Sequence, residues 1–155
     1  MKIITEEMVK RAISLAVPSA KAILAAEGMT WGPRWVEGFV TAPGLGEIPF
    51  RFGEVTKWNP KWGDERDFQP IAYKKLQLAK RTGDDTSIVV SVCPWQIQEG
   101  EYLYPGGVSR FGISAGASGA KGRTDEALAD ILVCIIMMLA NLETDRRKEA
   151  KEMQI

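Results

Sequence analysis

The stretch Gly106-Gly107-Val108-Ser109-Arg110-Phe111-Gly112-Ile113-Ser114-Ala115-Gly116-Ala117-Ser118-Gly119-Ala120-Lys121-Gly122-Arg123 decides how the rest of the chain is read. Residues 111–114 read as a strand. Residues 115–123 are tiny apart from Lys121 and Arg123, and read as a flexible connection into a last helix. Thr124 can cap that helix, with Asp125 and Glu126 in its first turn. A small-residue loop at a helix N-terminus presents backbone N–H groups and favours an anion. A carboxylate or phosphate could bind there, helped by Lys121 or Arg123. The same residues also suit a tight, closely packed connection without a ligand, since glycine tolerates positive φ. No Gly-Lys-Ser/Thr follows, so this is not a P-loop. No strand–helix–strand unit surrounds it, so it is not a dinucleotide fingerprint either.

Upstream, Thr5 is a good N-cap, with Glu6 and Glu7 at the positive end of a helix dipole. Met8, Ala12, Leu15, Ala16, Ser19, Ile23 and Ala26 recur at helical spacing and predict one apolar face. Pro18 should kink or split that helix, and Gly28 can end it. Residues 30–41 read as a strand, with Trp35, Glu37, Phe39 and Thr41 on one face and Val36, Gly38 and Val40 on the other. A turn at 42–46 and a second strand at 47–55 make a hairpin, and Pro49 points to an edge position. Residues 56–66 form a loop carrying Trp58 and Trp62. Asp67 can cap a helix over 68–81 that places Ile71, Lys75 and Leu78 on one stripe, with Ala72, Leu76 and Ala79 beside it and Gly83 at its end. The β-branched run 88–93 reads as a buried central strand. Residues 96–104 are a strand or a long loop. Helices and strands do not alternate, so a doubly wound parallel sheet does not fit. The order predicts a single domain over residues 1–155 of the α+β class, with helices packed on a mainly antiparallel sheet.

Composition removes several function classes. The 155 residues include 20 Lys plus Arg, 20 Asp plus Glu and no histidine. The formal net charge of zero argues against nucleic acid, whose binders normally carry a basic excess. Without histidine there is no Ser-His-Asp or Cys-His site, no imidazole-ligated zinc and no His-held haem. Acid–base chemistry would fall to Asp, Glu, Lys, Tyr, Cys or water. Cys93 and Cys134 make neither a disulfide framework nor a four-ligand metal site. The start MKIITEEM lacks the apolar core of a signal peptide. The longest apolar run, residues 131–140, is shorter than the ~20 residues that span a bilayer. The expectation is a cytoplasmic protein with no membrane partner. The stretch 131–142 is apolar almost all round, which favours a homo-oligomer.

Gly106-Gly107-Val108, then Gly112-Ile113-Ser114 with Gly116-Ala117, then Asp125-Glu126-Ala127, form a pattern that resembles the GlcG/haem-binding-protein-S family, which includes the C-terminal domain of some corrinoid adenosyltransferases. Ala72-Tyr73-Lys74-Lys75 resembles the A-x-x-K of that family's middle helix. The resemblance implies a profilin-like α+β fold, oligomers, and binding of small molecules, haem or corrinoids among them. This chain departs from the family pattern in having only Ser109-Arg110-Phe111 between the two glycine segments, and in a longer, tryptophan-rich region from Trp31 to Trp62. With no histidine, haem could be held only by Met, Cys, Tyr or Lys.

The residues themselves suggest a site. Trp58 and Trp62 could line an apolar pocket. Gly106, Gly107, Ser114, Gly116, Ser118, Arg123 and Thr124 could hold the carboxylate of a small organic ligand. Lys75 on a sheet-facing stripe is either ion-paired or, with a depressed pKa, a base or Schiff-base amine. Glu37 is an edge carboxylate or, if buried, an acid or base. Tyr102 and Tyr104 could donate to a ligand oxygen. Asp64, Glu65 and Asp67 lack the spacing of a calcium loop and read as helix-start charge. The expected function is binding of a small carboxylate ligand without a required cofactor. The alternatives are a cofactor-independent lyase, isomerase or hydratase, or a haem or corrinoid binder without His ligation.

Overall fold

Thr5 opens the first helix as its chemistry dictates: its hydroxyl accepts the N–H of Met8 at 3.2 Å. A computed structural model describes residues 2–27, 35–53, 68–101 and 103–151. Helix α1 (Glu6–Ala26) runs unbroken through Pro18. Burial on both sides of the proline, at Val9, Ala12 and Ala16 and then Ala20 and Leu24, outweighs the lost hydrogen bond. That inward face is rotated from the expected one, for Leu15 is exposed. The small side chains of Ala12, Ala16 and Ala20 form the ridge that packs into the core instead. Gly28 lies outside the described residues.

Strands β1 (Trp35–Thr41), β2 (Ile48–Gly53), β3 (Gly107–Arg110) and β4 (Ile113–Ser118) form one antiparallel sheet in the order β2-β1-β4-β3. The β1–β2 hairpin is the expected one. Pro49 sits on edge strand β2 opposite Phe39, where its missing N–H costs no ladder bond. Helices α2 (Gln69–Thr82), α3 (Thr86–Val92) and α4 (Gly122–Glu149) complete the chain, with a 3-10 turn at Pro94–Gln96. The fold is α+β, in three layers. Side chains alternate across the sheet. Val36, Val40, Phe50, Phe52, Val108, Ala115 and Ala117 share a core with α1 and α4. The opposite face carries α2, with Phe39 edge-on to Tyr73 at 5.8 Å and Trp35 against Phe68 at 5.5 Å.

Two expectations about elements are corrected. The run 88–93 is helix α3 rather than a central strand; only Thr86 and Val89 of that helix are buried. Its β-branched residues carry strand propensity, but one inward stripe is all that the fold asks of them. The small residues after 114 are not a flexible loop. They are the centre of the sheet: β4 is buried along its whole length, and Phe111-Gly112 is the two-residue turn leading into it, both with positive φ. Gly83 ends α2 as expected.

The glycines explain why β4 is so small. A Cβ on Gly116 would stand 2.4 Å from the carbonyl oxygen of Ala72 and 2.5 Å from the amide nitrogen of Leu76. A Cβ on Gly107 would stand 2.3 Å from the carbonyl oxygen of Lys75. Helix α2 thus rests backbone-to-backbone on β3 and β4, and only glycine admits it. Helix α4 is 28 residues long, with a mean hydropathy of 1.9 over its most apolar window, long and apolar enough to cross a membrane. That exceeds the expectation drawn from the run 131–140. Here Leu128, Leu132, Val133, Ile136 and Leu139 of that helix are buried in the domain.

Gly116→Ala should destabilise the fold by about 1–3 kcal/mol, because both partners of the new methyl are backbone atoms that cannot rotate away. Thermal unfolding should show a midpoint several degrees lower; an unchanged midpoint would mean that α2 does not lie on this glycine.

Candidate functional site

The strand pairing gathers the chemistry at one end of the sheet. Trp35 stands opposite Gly53, Glu37 opposite Ser118 and Gly107 opposite Gly116. The start of β1 and β3 and the end of β2 and β4 are therefore neighbours. Helix α2 begins there as well, because the N–H of Phe68 donates to Glu37 Oε2 at 3.0 Å. Glu37 is buried and also accepts from the Arg51 guanidinium opposite it. It acts as the cap of α2, a place the sequence offers to Asp67, which lies outside the described residues. The end of α1 arrives too, for Glu27 Oε1 accepts the N–H of Lys121 at 3.0 Å.

At the centre is an ion pair between residues 50 positions apart. Lys75 Nζ donates to Asp125 Oδ2 at 3.0 Å, and the two side chains are 3% and 2% exposed. Asp125 Oδ1 accepts the N–H of Ala120 at 2.9 Å, so the same carboxylate ties down the turn before α4. Burial pushes the Asp125 carboxyl up to about 6, against the pull of Lys75 and of the Ala120 N–H, with Glu27 adding to the rise. Lys75 is therefore the ion-paired lysine of the two sequence alternatives. Its partner was hidden because Asp125 reads as ordinary helix-start charge. The available signal was a lysine on an otherwise apolar stripe, which demands a buried anion somewhere.

The expected anion cradle is filled from within the chain. Thr86, fully buried, accepts the N–H groups of Gly106 at 2.9 Å and Gly107 at 3.0 Å. Gly107 and Gly116 are covered by the α2 backbone. Ser114 bonds Ser109, hydroxyl to hydroxyl, at 2.9 Å, and Ser118 is buried in β4. Thr124 does not cap α4. The helix starts earlier, at Gly122, with Lys121 in the cap position. Arg123 is exposed and lines a depression of about 270 Å³ together with Asp85, Glu126 and Asp130. Tyr104 is 63% exposed, on the loop before β3. Trp58, Trp62 and Tyr102 lie outside the described residues. The structure thus brings Lys75, Gly106 and Gly107 together, with Glu37 at the same end of the sheet, and leaves Arg123 and Tyr104 exposed. Thr86 was missed because nothing in a lone threonine before a β-branched run announces a turn-holding role.

Two buried polar atoms at this end have no partner among the described residues: the indole Nε1 of Trp35 and Oε2 of Glu27. Trp35 is 3% exposed. An unpaired buried donor of this kind costs about 1–3 kcal/mol. Glu27 and Trp35 flank residues 28–34, while Gly53 and Phe68 flank residues 54–67. Glu27, Trp35, Gly53 and Phe68 all stand at this end of the sheet.

A carboxyl raised in the folded state holds its proton more tightly there than in the unfolded chain. Asp125 should therefore favour folding increasingly as pH falls from about 6 towards about 4, the ordinary carboxylate value. The stability of the wild type should rise relative to Asp125→Asn over that window. A site-resolved carboxyl titration by carbon NMR should place the Asp125 midpoint near 6; a midpoint near 4 would contradict the burial of the pair.

No family model matches the chain, and no curated protein sequence matches it. Among solved structures it is similar to HbpS, with 19% identity and a TM-score of 0.54 over 87% of this chain and 91% of that one. It is also similar to the Klebsiella pneumoniae protein ORFY, with 16% identity and a TM-score of 0.45 over 79% of this chain and 88% of that one. The likeness to HbpS, at 19% identity, is one of fold. The chain therefore has the fold of HbpS, the α+β fold that the GlcG/haem-binding-protein-S resemblance of its glycine-rich segment implies.

Proposed function

We propose that the chain binds a small organic ligand bearing a carboxylate, at the end of the sheet marked by Trp35, Lys75 and Asp125. The observation that carries this reading is the Trp35 indole N–H, buried and without an acceptor among the described residues. A carboxylate oxygen satisfies that donor and recovers the cost of leaving it unpaired. The Lys75 ammonium supports the same polarity: it has three donor positions and, among the described residues, one acceptor, Asp125. Trp58 and Trp62 would supply an apolar wall for its other end. The glycines of β3 and β4 serve the packing of α2, and the ligand does not sit on them.

A second reading is favoured by the Lys75–Asp125 pair itself. A carboxyl pushed up to about 6 beside an ammonium is poised for proton transfer near neutral pH. The pocket would then belong to a cofactor-independent lyase, isomerase or hydratase.

Nitrogen–proton NMR of the indole signals tests the binding reading. Acetate, pyruvate and benzoate at millimolar concentration should shift the Trp35 indole resonance. Trp35→Phe should abolish binding while holding or raising thermal stability, because it removes an unsatisfied donor. An indole resonance unmoved by every carboxylate would overturn the proposal. For the catalytic reading, pyruvate in heavy water should lose its methyl proton signal with the wild type and keep it with Asp125→Asn.

A further inference from the structure

The turn Gly119-Ala120-Lys121, between β4 and α4, seats a different side chain on each of its three residues. A Cβ on Gly119 would stand 2.4 Å from the Trp35 carbonyl oxygen and 3.3 Å from the Phe68 ring, which packs against the Trp35 indole. The N–H of Ala120 donates to Asp125 Oδ1, and the N–H of Lys121 donates to Glu27 Oε1. Trp35 Nε1 and Glu27 Oε2, the buried atoms without a partner among the described residues, therefore belong to side chains held on one turn. One is a donor and the other an acceptor, and they do not bond each other.

Charge at this turn is unbalanced. Asp125 is matched by Lys75, and Glu37 by Arg51. Glu27 has no ion-pair partner among the described residues: Oε1 meets a backbone N–H, and Oε2 is buried and unmet. Its charge reaches Asp125 and adds to the rise of that carboxyl. Lys121 and Arg123, the cations that follow in the chain, are exposed. Glu27 is also the C-cap of α1, whose last turn carries no basic residue. The negative end of a helix dipole favours a cation, and here α1 supplies none of its own.

We propose that the ligand is an α-amino acid or a similar small molecule, its carboxylate on the Trp35 indole N–H and its ammonium on Glu27 Oε2. The inference rests on the carboxylate-binding reading above and adds the second half of the ligand. A simple carboxylate satisfies the indole but leaves Oε2 unmet. It also sets three anions, its own with Glu27 and Asp125, against the one ammonium of Lys75. A hydroxy acid meets both atoms and leaves the same excess of negative charge. An amino acid meets both atoms and brings its own cation. Its ammonium then makes a charge-assisted hydrogen bond where water is largely excluded, the setting in which such a bond is strongest.

Titration of the full chain with phenylalanine, 3-phenyllactate and 3-phenylpropionate, followed on the Trp35 indole resonance, provides the test. The three probes share the ring and the carboxylate and differ only in the ammonium, hydroxyl or hydrogen beside it. Phenylalanine should bind at least about tenfold tighter than 3-phenylpropionate, the gain of a hydrogen bond between charged groups. Phenyllactate should bind clearly more weakly than phenylalanine. In Glu27→Gln, which keeps an oxygen for the Lys121 N–H and loses the charge, the preference for phenylalanine should vanish while 3-phenylpropionate binds no more weakly than before. Circular dichroism checks that this variant is folded, and the comparison of probes on the wild type stands without it. Phenylpropionate that shifts the indole and binds as tightly as phenylalanine would overturn the ammonium and leave the carboxylate reading standing. Phenyllactate as tight as phenylalanine would overturn it in favour of a hydroxyl. A preference for phenylalanine that survives Glu27→Gln would overturn the assignment to Glu27. An indole unmoved by all three probes would overturn both readings.

Discussion

The buried ion pair between Lys75 and Asp125 is the interaction on which the rest of the structure depends. Lys75 belongs to α2, on one face of the sheet, and Asp125 to the first turn of α4, on the other. Their contact at 3.0 Å joins the two outer layers around the end of the sheet. Such a pair is expensive to desolvate and holds only when both ions are well partnered. The constraint spreads outward. For the Lys75 side chain to arrive, the α2 backbone must lie flat on β3 and β4, which makes Gly107 and Gly116 obligatory. For Asp125 to arrive, the turn at Ala120 must be held, and the same carboxylate holds it.

Seen this way, the glycine-rich segment has a mechanical explanation. Glycines before a helix suggest an anion cradle, and the N–H groups of Gly106 and Gly107 do point at an acceptor. That acceptor is the Thr86 hydroxyl. Among the described residues, the buried polar atoms without a partner are the Trp35 indole nitrogen and the second carboxylate oxygen of Glu27. The absence of histidine keeps its force: any proton chemistry of this chain falls to Asp, Glu, Lys, Tyr, Cys or water, and Asp125, Lys75 and Glu37 are the buried ionisable side chains among the described residues.

Much of this was legible in the sequence. Period-two alternation in 35–41 places Glu37 and Phe39 on the face that meets α2. Helical spacing places Lys75 with Leu78 on the buried side, and Pro49 marks the edge strand. These readings hold because each depends on local periodicity. Strand β4 was legible only at its start, Ile113 and Ser114, within the strand read over 111–114; the alanine, serine and glycine that follow have little β propensity, and their presence reflects how close another backbone comes. Helix α3 was misread for the opposite reason. Its β-branched residues carry a strong local signal that its position at the rim of the fold overrides. Asp125, Thr86 and the Trp35 indole became visible only with tertiary contacts, since each acts on a partner far away in sequence or on no described partner.

The most direct test of the central claim is a double-mutant cycle on Lys75→Met and Asp125→Asn, read by chemical denaturation. The asparagine retains an oxygen for the Ala120 N–H, so the cycle isolates the charge pair. Each single substitution should cost about 3–5 kcal/mol, because it strands a buried ion or cuts its anchor. The double variant should be about 1–3 kcal/mol more stable than the sum of the two predicts. Strict additivity would show that the two side chains do not meet in the folded protein, and would contradict the account.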